Sequence, residues 1–377
     1  MSQYGARGRA IAGQTWADIL AHYYKGTTTG TIDPVTPIRV LVLTGLAATA
    51  AKPAIVHGRA GAWSIDGIAG TFPADAKLTL APTAPGATTW ALRVYSATGA
   101  RLKSSTASGS LAIRPAGIAG LIQLDSKSST YDTYRGLLRI YLTTTVRVVN
   151  ELGLDMYLRG VAPAEMPASW PAEALKAQAV AARSYAARKL RPGVSTYDVF
   201  DDTRSQVYHG YEGEAAATNA AITATAGVIL KSGSAIALAL FHSTGGGATE
   251  NNENVFNDAS GKIVAGPVSY LRGSSDRLPN GTPYDAGAPF ATWKTATYTR
   301  AELSAIFAAD PATNVGSNIK LDLSRRGVSG RLITVTLTGS NGTKTVSGNV
   351  FRAVFNANKP ASDPELKSTL FATQPIA

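Results

Sequence analysis

The sequence predicts an α+β protein, with strand-rich lobes around a helical region. Three observations lead there. Residues from Ile38 to about Val149 read as short strands separated by turns rich in Gly, Pro, Ser and Thr. The character changes at Asn150, after which an Ala-rich stretch from about Pro171 to Leu190 reads as a strong helix. The chain has 377 residues, 45% of them apolar, which is enough for a large core and for roughly two domains at about 150 residues each.

Residues 1–26 read as helical. Thr15 with Asp18 three residues later is a capping-box-like start, with Asp in place of the usual Glu. Trp16, Ile19, Leu20 and Tyr23 follow at helical spacing, and Gly26 stands where a helix C-terminus favours glycine. Residues 27–37 read as a Gly/Thr/Pro linker. Strands are expected at Ile38 to Leu43, Trp90 to Tyr95, Leu111 to Arg114 and Leu137 to Leu142.

Residues 151–160 suit a short helix. The Glu165 segment, bracketed by Pro163 and Pro167, comes next, and the long helix follows it. Pro171 fits its first turn, Ser169 is the expected N-cap, and Glu173 complements the helix dipole. A second Ala-rich helix is expected from Glu214 to Ala226. A hairpin of Val228 to Leu230 and Ala235 to Phe241 should turn at Ser232-Gly233. Another, from Arg331 to about Val346, should turn at Ser340-Asn341-Gly342. These features divide the chain into a helical motif and linker (1–37), a strand-rich lobe (38–149) and a longer region (150–377) interwoven with that lobe.

The net charge is +11 and the pI about 9.7, a field that attracts polyanions such as nucleic acid, acidic membrane or an anionic cell wall. Nucleic acid is disfavoured: there is no Lys/Arg run, no helix-turn-helix or RNP signature and no zinc-finger spacing. With no cysteine there is no disulfide framework, no cysteine metal site and no thiol nucleophile. No apolar run reaches transmembrane length. No export signal is recognisable, and the opening Met1-Ser2-Gln3-Tyr4-Gly5 reads as the middle of a structured element.

Three constellations suggest chemistry. Pro163 and Pro167 stiffen the backbone around Glu165, and Met166 and Trp170 are apolar neighbours able to desolvate its carboxylate, as a general acid requires. A surface-loop glutamate without a role has the same pattern. Lys176 and Arg183 lie seven residues apart on one helix face with Ala179, Val180 and Ala187, either as a cationic support for Glu165 or as a snorkelling pair. Gln178 and Tyr185 fall on another face. Finally, Phe241 to Glu250 is an apolar strand end followed by a Gly-rich loop, a layout that brings backbone close to a ligand. It has neither a nucleophile elbow nor the Walker lysine pattern. Of the four histidines, none is at metal-binding spacing from another, and Asp201-Asp202 with His209 reads as a solvated turn.

Taken together, these stretches resemble the SpoIID/LytB family of sporulation and cell-wall proteins. The resemblance runs through Val149 to Leu152, Tyr157 to Val161, Glu165-Met166-Pro167-Ala168-Ser169-Trp170-Pro171 and Glu173 to Arg183. It continues at Tyr197-Asp198, Gln206-Val207-Tyr208, Phe241 to Thr249, Tyr270-Leu271-Arg272, Arg326-Gly327 with Ser329-Gly330-Arg331, and Lys367-Ser368-Thr369 with Phe371. It implies a SpoIID-like fold and a lytic transglycosylase acting on peptidoglycan glycan strands. Glu165 would serve as acid and then base, supported by Lys176, Arg183, Tyr270, Arg272, Ser243 and Thr244. Arg272 stands where the family usually has Lys, and the two are not equivalent at a shaped site. Some members bind zinc in the stretch equivalent to Phe200–Gln206; here it has neither Cys nor His, so no zinc and no other cofactor is expected. Family membership also implies an extracytoplasmic, wall-associated location and a rival reading, a non-enzymatic wall protein that modifies an amidase. Met1 to Gly8 resembles a motif that normally follows a G-H-G-x-G stretch, so a truncated or permuted start is expected.

Overall fold

A computed structural model describes residues 1–372. Its 22% helix and 30% strand make it the α+β fold that the sequence predicts. The helices are α1 (Gln3–Ile11), α2 (Trp16–Tyr23), α3 (Leu154–Glu165), α4 (Ala172–Lys189), α5 (Ala216–Ala224), α6 (Asn252–Val255), α7 (Arg300–Ala308) and α8 (Gly348–Asn358). None is long and apolar enough to cross a membrane. The chain forms two compact units, Thr28–Ala239 and Met1–Thr27 with Leu240 onwards. The sequence divisions at 37 and 149 follow composition; the units follow pairings between segments far apart in the chain.

The unit Thr28–Ala239 is built on a twelve-stranded sheet. Trp63–Ile65 with Ile68–Phe72 branches from Arg101–Pro115, and the other ten of the twelve lie side by side, in the order Thr133–Tyr134, Leu121–Gln123, Ala54–Ala60, Lys77–Pro82, Thr89–Tyr95, Arg101–Pro115, Leu137–Leu142, Val146–Gly153, Pro37–Leu46 and Val199–Phe200. Neighbours are antiparallel except the last pair. Each strand expected between Ile38 and Val149 is present, and alternation sets its faces, whereas the strand expected at Ala235 to Phe241 forms only at Ala235–Ile236. Leu78, Leu80, Trp90, Leu92 and Val94 are fully buried, while Lys77, Thr79, Arg93 and Tyr95 between them face outward. The two buried indoles each find an acceptor: Trp90 Nε1 donates to Thr143 O at 2.9 Å and Trp63 Nε1 to Pro73 O at 3.0 Å.

Helix α4 packs against α3, α5 and the strand Val228–Ser232. It is buried almost all round, which its alanines permit because small side chains let three elements approach at once. Four expectations need correcting here. Residues 28–31 of the expected linker are a strand, paired antiparallel with Val228–Ser232, a partner two hundred residues away that local composition does not reveal. The expected helix at 151–160 begins only at Leu154, because Val146–Gly153 pairs on both sides and ladder pairing prevails through Gly153. That helix then runs through Pro163 and ends on Glu165, so the glutamate is not on a loop. Ser169 is not the N-cap of α4: it lies in the turn closed by Trp170 N to Pro167 O at 3.0 Å, and Pro171 takes the cap position.

The other unit holds α1, α2, α6, α7, α8 and a three-stranded sheet of Lys320–Asp322, Thr334–Gly339 and Gly342–Ser347. Phe307, Val335, Leu337, Phe351 and Phe355 centre its core. The capping box of Thr15 and Asp18 is formed. The hairpin turns at Ser340-Asn341, where Gly342 takes a φ of 105° that a side chain would resist.

Candidate functional site

Glu165 is the last residue of α3 and is half-buried. The buried Met166 follows in extended conformation and turns the chain away. A neighbouring segment, Ser205 to His209, straps the end of α3. Val207 N donates to Glu165 Oε1 at 3.3 Å, and His209 N donates to Gly160 O at 3.0 Å. Gln206, just before them in the chain, is buried and spans two helices. Its Oε1 accepts from Tyr157 OH of α3 at 3.4 Å, and its Nε2 donates to Ala182 O of α4 at 3.5 Å.

Two tyrosines feel the charge of Glu165. Burial pushes the Tyr157 phenol well above the usual range, with added contributions from Tyr208, Tyr185 and Glu165. Tyr185 of α4 is half-buried; burial raises its phenol first, and the Glu165 carboxylate raises it further. Both are therefore neutral hydroxyls beside the carboxylate. The sequence reading did not assign these two to the site. Its signal for Tyr185 was the helical face it shares with Gln178, seven residues earlier, and that is the face of α4 that senses Glu165.

Lys176 and Arg183 are engaged elsewhere on α4. Arg183 is completely buried. Its Nε donates to Asp155 Oδ1 at 2.6 Å and a terminal nitrogen to Oδ2 at 3.1 Å; the other donors reach Val228 O at 3.1 Å and Ile222 O at 3.3 Å. It thus ties α4 to the start of α3 and the end of α5. Lys176 pairs with Glu173, one turn before it, at 2.7 Å. The acidic residues nearest Glu165 in sequence all bind cations: Glu151 holds Arg139, Asp155 holds Arg183, and Glu173 holds Lys176.

Tyr270, Arg272, Ser243 and Thr244 belong to the other unit. Tyr270 is half-buried. The Arg272 guanidinium forks onto Glu253 and also donates to Asn252 Oδ1 at 2.7 Å. The Gly-rich loop after Ser243 and Thr244 is closed on a side chain of the protein itself. Asp285 accepts from the amides of Gly245, Gly246 and Gly247 at 2.7, 2.6 and 3.0 Å. The Arg326 to Arg331 loop is held likewise by Glu250, which accepts from Ser329 Oγ at 2.5 Å and from the amides of Val328 and Ser329.

Among the described residues no group of three or more His, Asp or Glu is arranged to hold a metal ion. Asp201 pairs with Lys127, Asp202 with Arg204, and His209 stacks on Tyr131 with ring centres 3.7 Å apart.

Residues 143–231, which contain α3, Glu165 and α4, match the family model described as SpoIID, Stage II sporulation protein. An uncharacterized protein of Brachyspira hyodysenteriae is 39% identical over 125 residues, which is 33% of this chain and 34% of that protein. The Bacillus subtilis protein named Amidase enhancer is 42% identical over 108 residues, 29% of this chain and 14% of that one. Stage II sporulation protein D of Bacillus subtilis is 34% identical over 136 residues, 32% and 39% of the two chains. The chain therefore spans between 14% and 39% of the length of these relatives. No solved structure matches it significantly.

Proposed function

We propose that this chain, which carries a SpoIID/LytB-family region at residues 143–231, is a lytic transglycosylase of peptidoglycan with Glu165 as its acid and base. The observation that carries the reading is the placement of Glu165. It ends a helix inside the matched region, is half-buried, and lies beside two neutral tyrosines. The neighbouring acids each face a cation, which favours one working carboxylate over two. A hydrolase would use a second carboxyl about 5–10 Å away as nucleophile or base.

The chemistry needs only the one group. Protonated Glu165 gives its proton to the oxygen joining N-acetylmuramic acid to N-acetylglucosamine, and the bond from the muramic C1 to that oxygen breaks. The glucosamine residue leaves with a free 4-hydroxyl. The Glu165 carboxylate then takes the proton of the muramic C6 hydroxyl as O6 bonds to C1. The 1,6-anhydro ring closes, no water is consumed, and the acid is regenerated. Tyr157 and Tyr185 stand near the carboxylate as uncharged phenols, and the Val207 amide donates to it. Arg183 supports the site from behind by fixing α4 against α3. Lys176, Tyr270, Arg272, Ser243 and Thr244 are further substrate contacts by family resemblance, and the working location is outside the cytoplasmic membrane.

Purified glycan strands, with and without stem peptides, test this when digests are read by mass spectrometry. New anhydro ends that vanish in Glu165→Gln support the reading; reducing ends would make the protein a hydrolase. A second reading is supported by the similarity to the Amidase enhancer: a wall-binding protein that stimulates an amidase. It expects wall binding and amidase stimulation without any glycan cleavage.

A further inference from the structure

The charge of the molecule is unevenly spread. Residues 38–149 hold twelve Lys and Arg against four Asp, a net +8 of the total +11. Residues 150–239, which contain Glu165, hold eight against nine, a net −1. The basic field therefore does not come from the candidate catalytic region, and its source lies in the sheet.

Four of those twelve cations, Arg59, Lys77, Arg93 and Arg101, lie toward one face, with Asp75 and Asp125 beside them. Cross-strand neighbours Gln123, His57, Lys77, Tyr95 and Arg101 form a row across five strands. The adjacent row on the same side runs through Thr79, Arg93 and Ser104. The alternate positions of the two central strands are Leu78, Leu80, Leu92 and Val94, all fully buried, so these two rows face outward. Lys77, Arg93 and Arg101 form no ion pair among the described residues. Arg59, on the same strand as His57, is exposed and 4.0 Å from Asp75. Asp125 faces His57 at 2.5 Å. A groove of about 550 Å³ is sunk into this face, lined by His57, Arg59, Asp75, Lys77, Thr79 and Tyr95.

We propose that this outer sheet face binds a linear polyol-phosphate polymer, independently of Glu165. The cations extend over four strands, from that of Arg59 to that of Arg101, or about 14 Å at the usual strand spacing. That is too long for one phosphate and suits a chain of them. Arginine forks match phosphate oxygens, and the hydroxyls of Thr79, Ser96 and Ser104 are donors for phosphate and acceptors for polyol hydroxyls. A nucleic acid is the weaker fit. Single strands are held on several stacked rings, and this face offers Tyr95 and a His57 ring held against Asp125; duplex reading needs a helix or ribbon that enters a groove. An acidic membrane is weaker too, since the two rows expose no large apolar side chain for insertion.

The test measures binding of soluble poly(glycerol phosphate) to the full chain at low and at physiological salt. Binding that weakens with salt is expected, and Lys77→Glu with Arg93→Glu should lower affinity about tenfold or more at low salt. The milder Lys77→Gln with Arg93→Gln should lower it less, at an unchanged thermal midpoint. Glu165→Gln should bind as the parent does, and the Lys77/Arg93 variants should release anhydro ends from phosphate-free glycan at the parent rate. Undiminished binding by the double Glu variant overturns the proposal. So does equal or tighter binding of single-stranded DNA or of phosphatidylglycerol vesicles, or no binding at low salt. None of the binding outcomes depends on whether Glu165 cleaves glycan.

Discussion

Asp276 and Glu165 are both carboxylates set beside tyrosines, and they differ in how far they are closed off from solvent. Asp276 is completely buried and takes the Tyr23 hydroxyl at 2.5 Å and Arg9 Nε at 2.8 Å. Arg9 in turn donates to His22 Nε2 at 2.8 Å, which fixes that nitrogen as the bare one. Such a carboxylate organises α1 and α2 and is closed to a substrate. Glu165 stands at a helix end, half-buried, with its neighbouring tyrosines and the Val207 amide around it. A carboxylate that holds a fold is sunk and surrounded by donors; the proposed role of Glu165 requires instead that a substrate reach it.

The comparison is easiest to break at its structural end. Asp276→Asn removes the charge that balances buried Arg9 and should cost about 3–5 kcal/mol in denaturant unfolding. Asp155→Asn sharpens the point within the Glu165 region, because it strips Arg183 of its counterion. A loss of similar size, about 3–5 kcal/mol, is expected although Asp155 is three turns of helix from Glu165. Next comes a pH effect. Burial, then the Arg9 charge, lower His22 to about 4 from the usual 6.5, against the pull of Asp276. The unfolded chain takes up this proton first as pH falls. The contribution of neutral His22 is therefore complete above pH 6.5 and lost between there and about pH 4. Unfolding midpoints followed over that window should fall, and His22→Gln should flatten the slope.

Glu165→Gln lies at the other end of the scale. Its stability should stay within about 0.5 kcal/mol of the parent, as for a half-exposed polar exchange, while anhydro-end formation is lost. A large destabilisation would place Glu165 with Asp276 as a structural group. Lys176→Ala should change stability least, by about 0.3–0.5 kcal/mol, since its pair with Glu173 is a partly exposed one-turn ion pair. Any larger effect on glycan turnover would then report contact with substrate.

Much of this was legible in the sequence, for physical reasons. The alanines of α4, the alternation in Thr89–Tyr95 and the capping box at Thr15 are local signals, and each element formed where they stand. What was not legible depends on partners far along the chain. Thr28–Thr31 becomes a strand only because Val228–Ser232 is there to pair with it. The Gly245 to Gly247 amides read as a place for a ligand, yet Asp285, some forty residues later, fills it. Arg183 carried two readings on spacing alone; its burial against Asp155, twenty-eight residues earlier, shows what it grips. Tyr185 read only as lying on another face than the two cations; that it feels the charge of Glu165 depends on the packing of α3 against α4, which spacing along one helix does not carry.

The central claim is that Glu165 alone breaks the glycan bond by intramolecular ring closure. The most direct test is a digest of peptide-free glycan strands in ¹⁸O-labelled water, with ends resolved by mass spectrometry. The account predicts 1,6-anhydro ends without the label, and none in Glu165→Gln. Labelled reducing ends, or undiminished cleavage by the Gln variant, would contradict it.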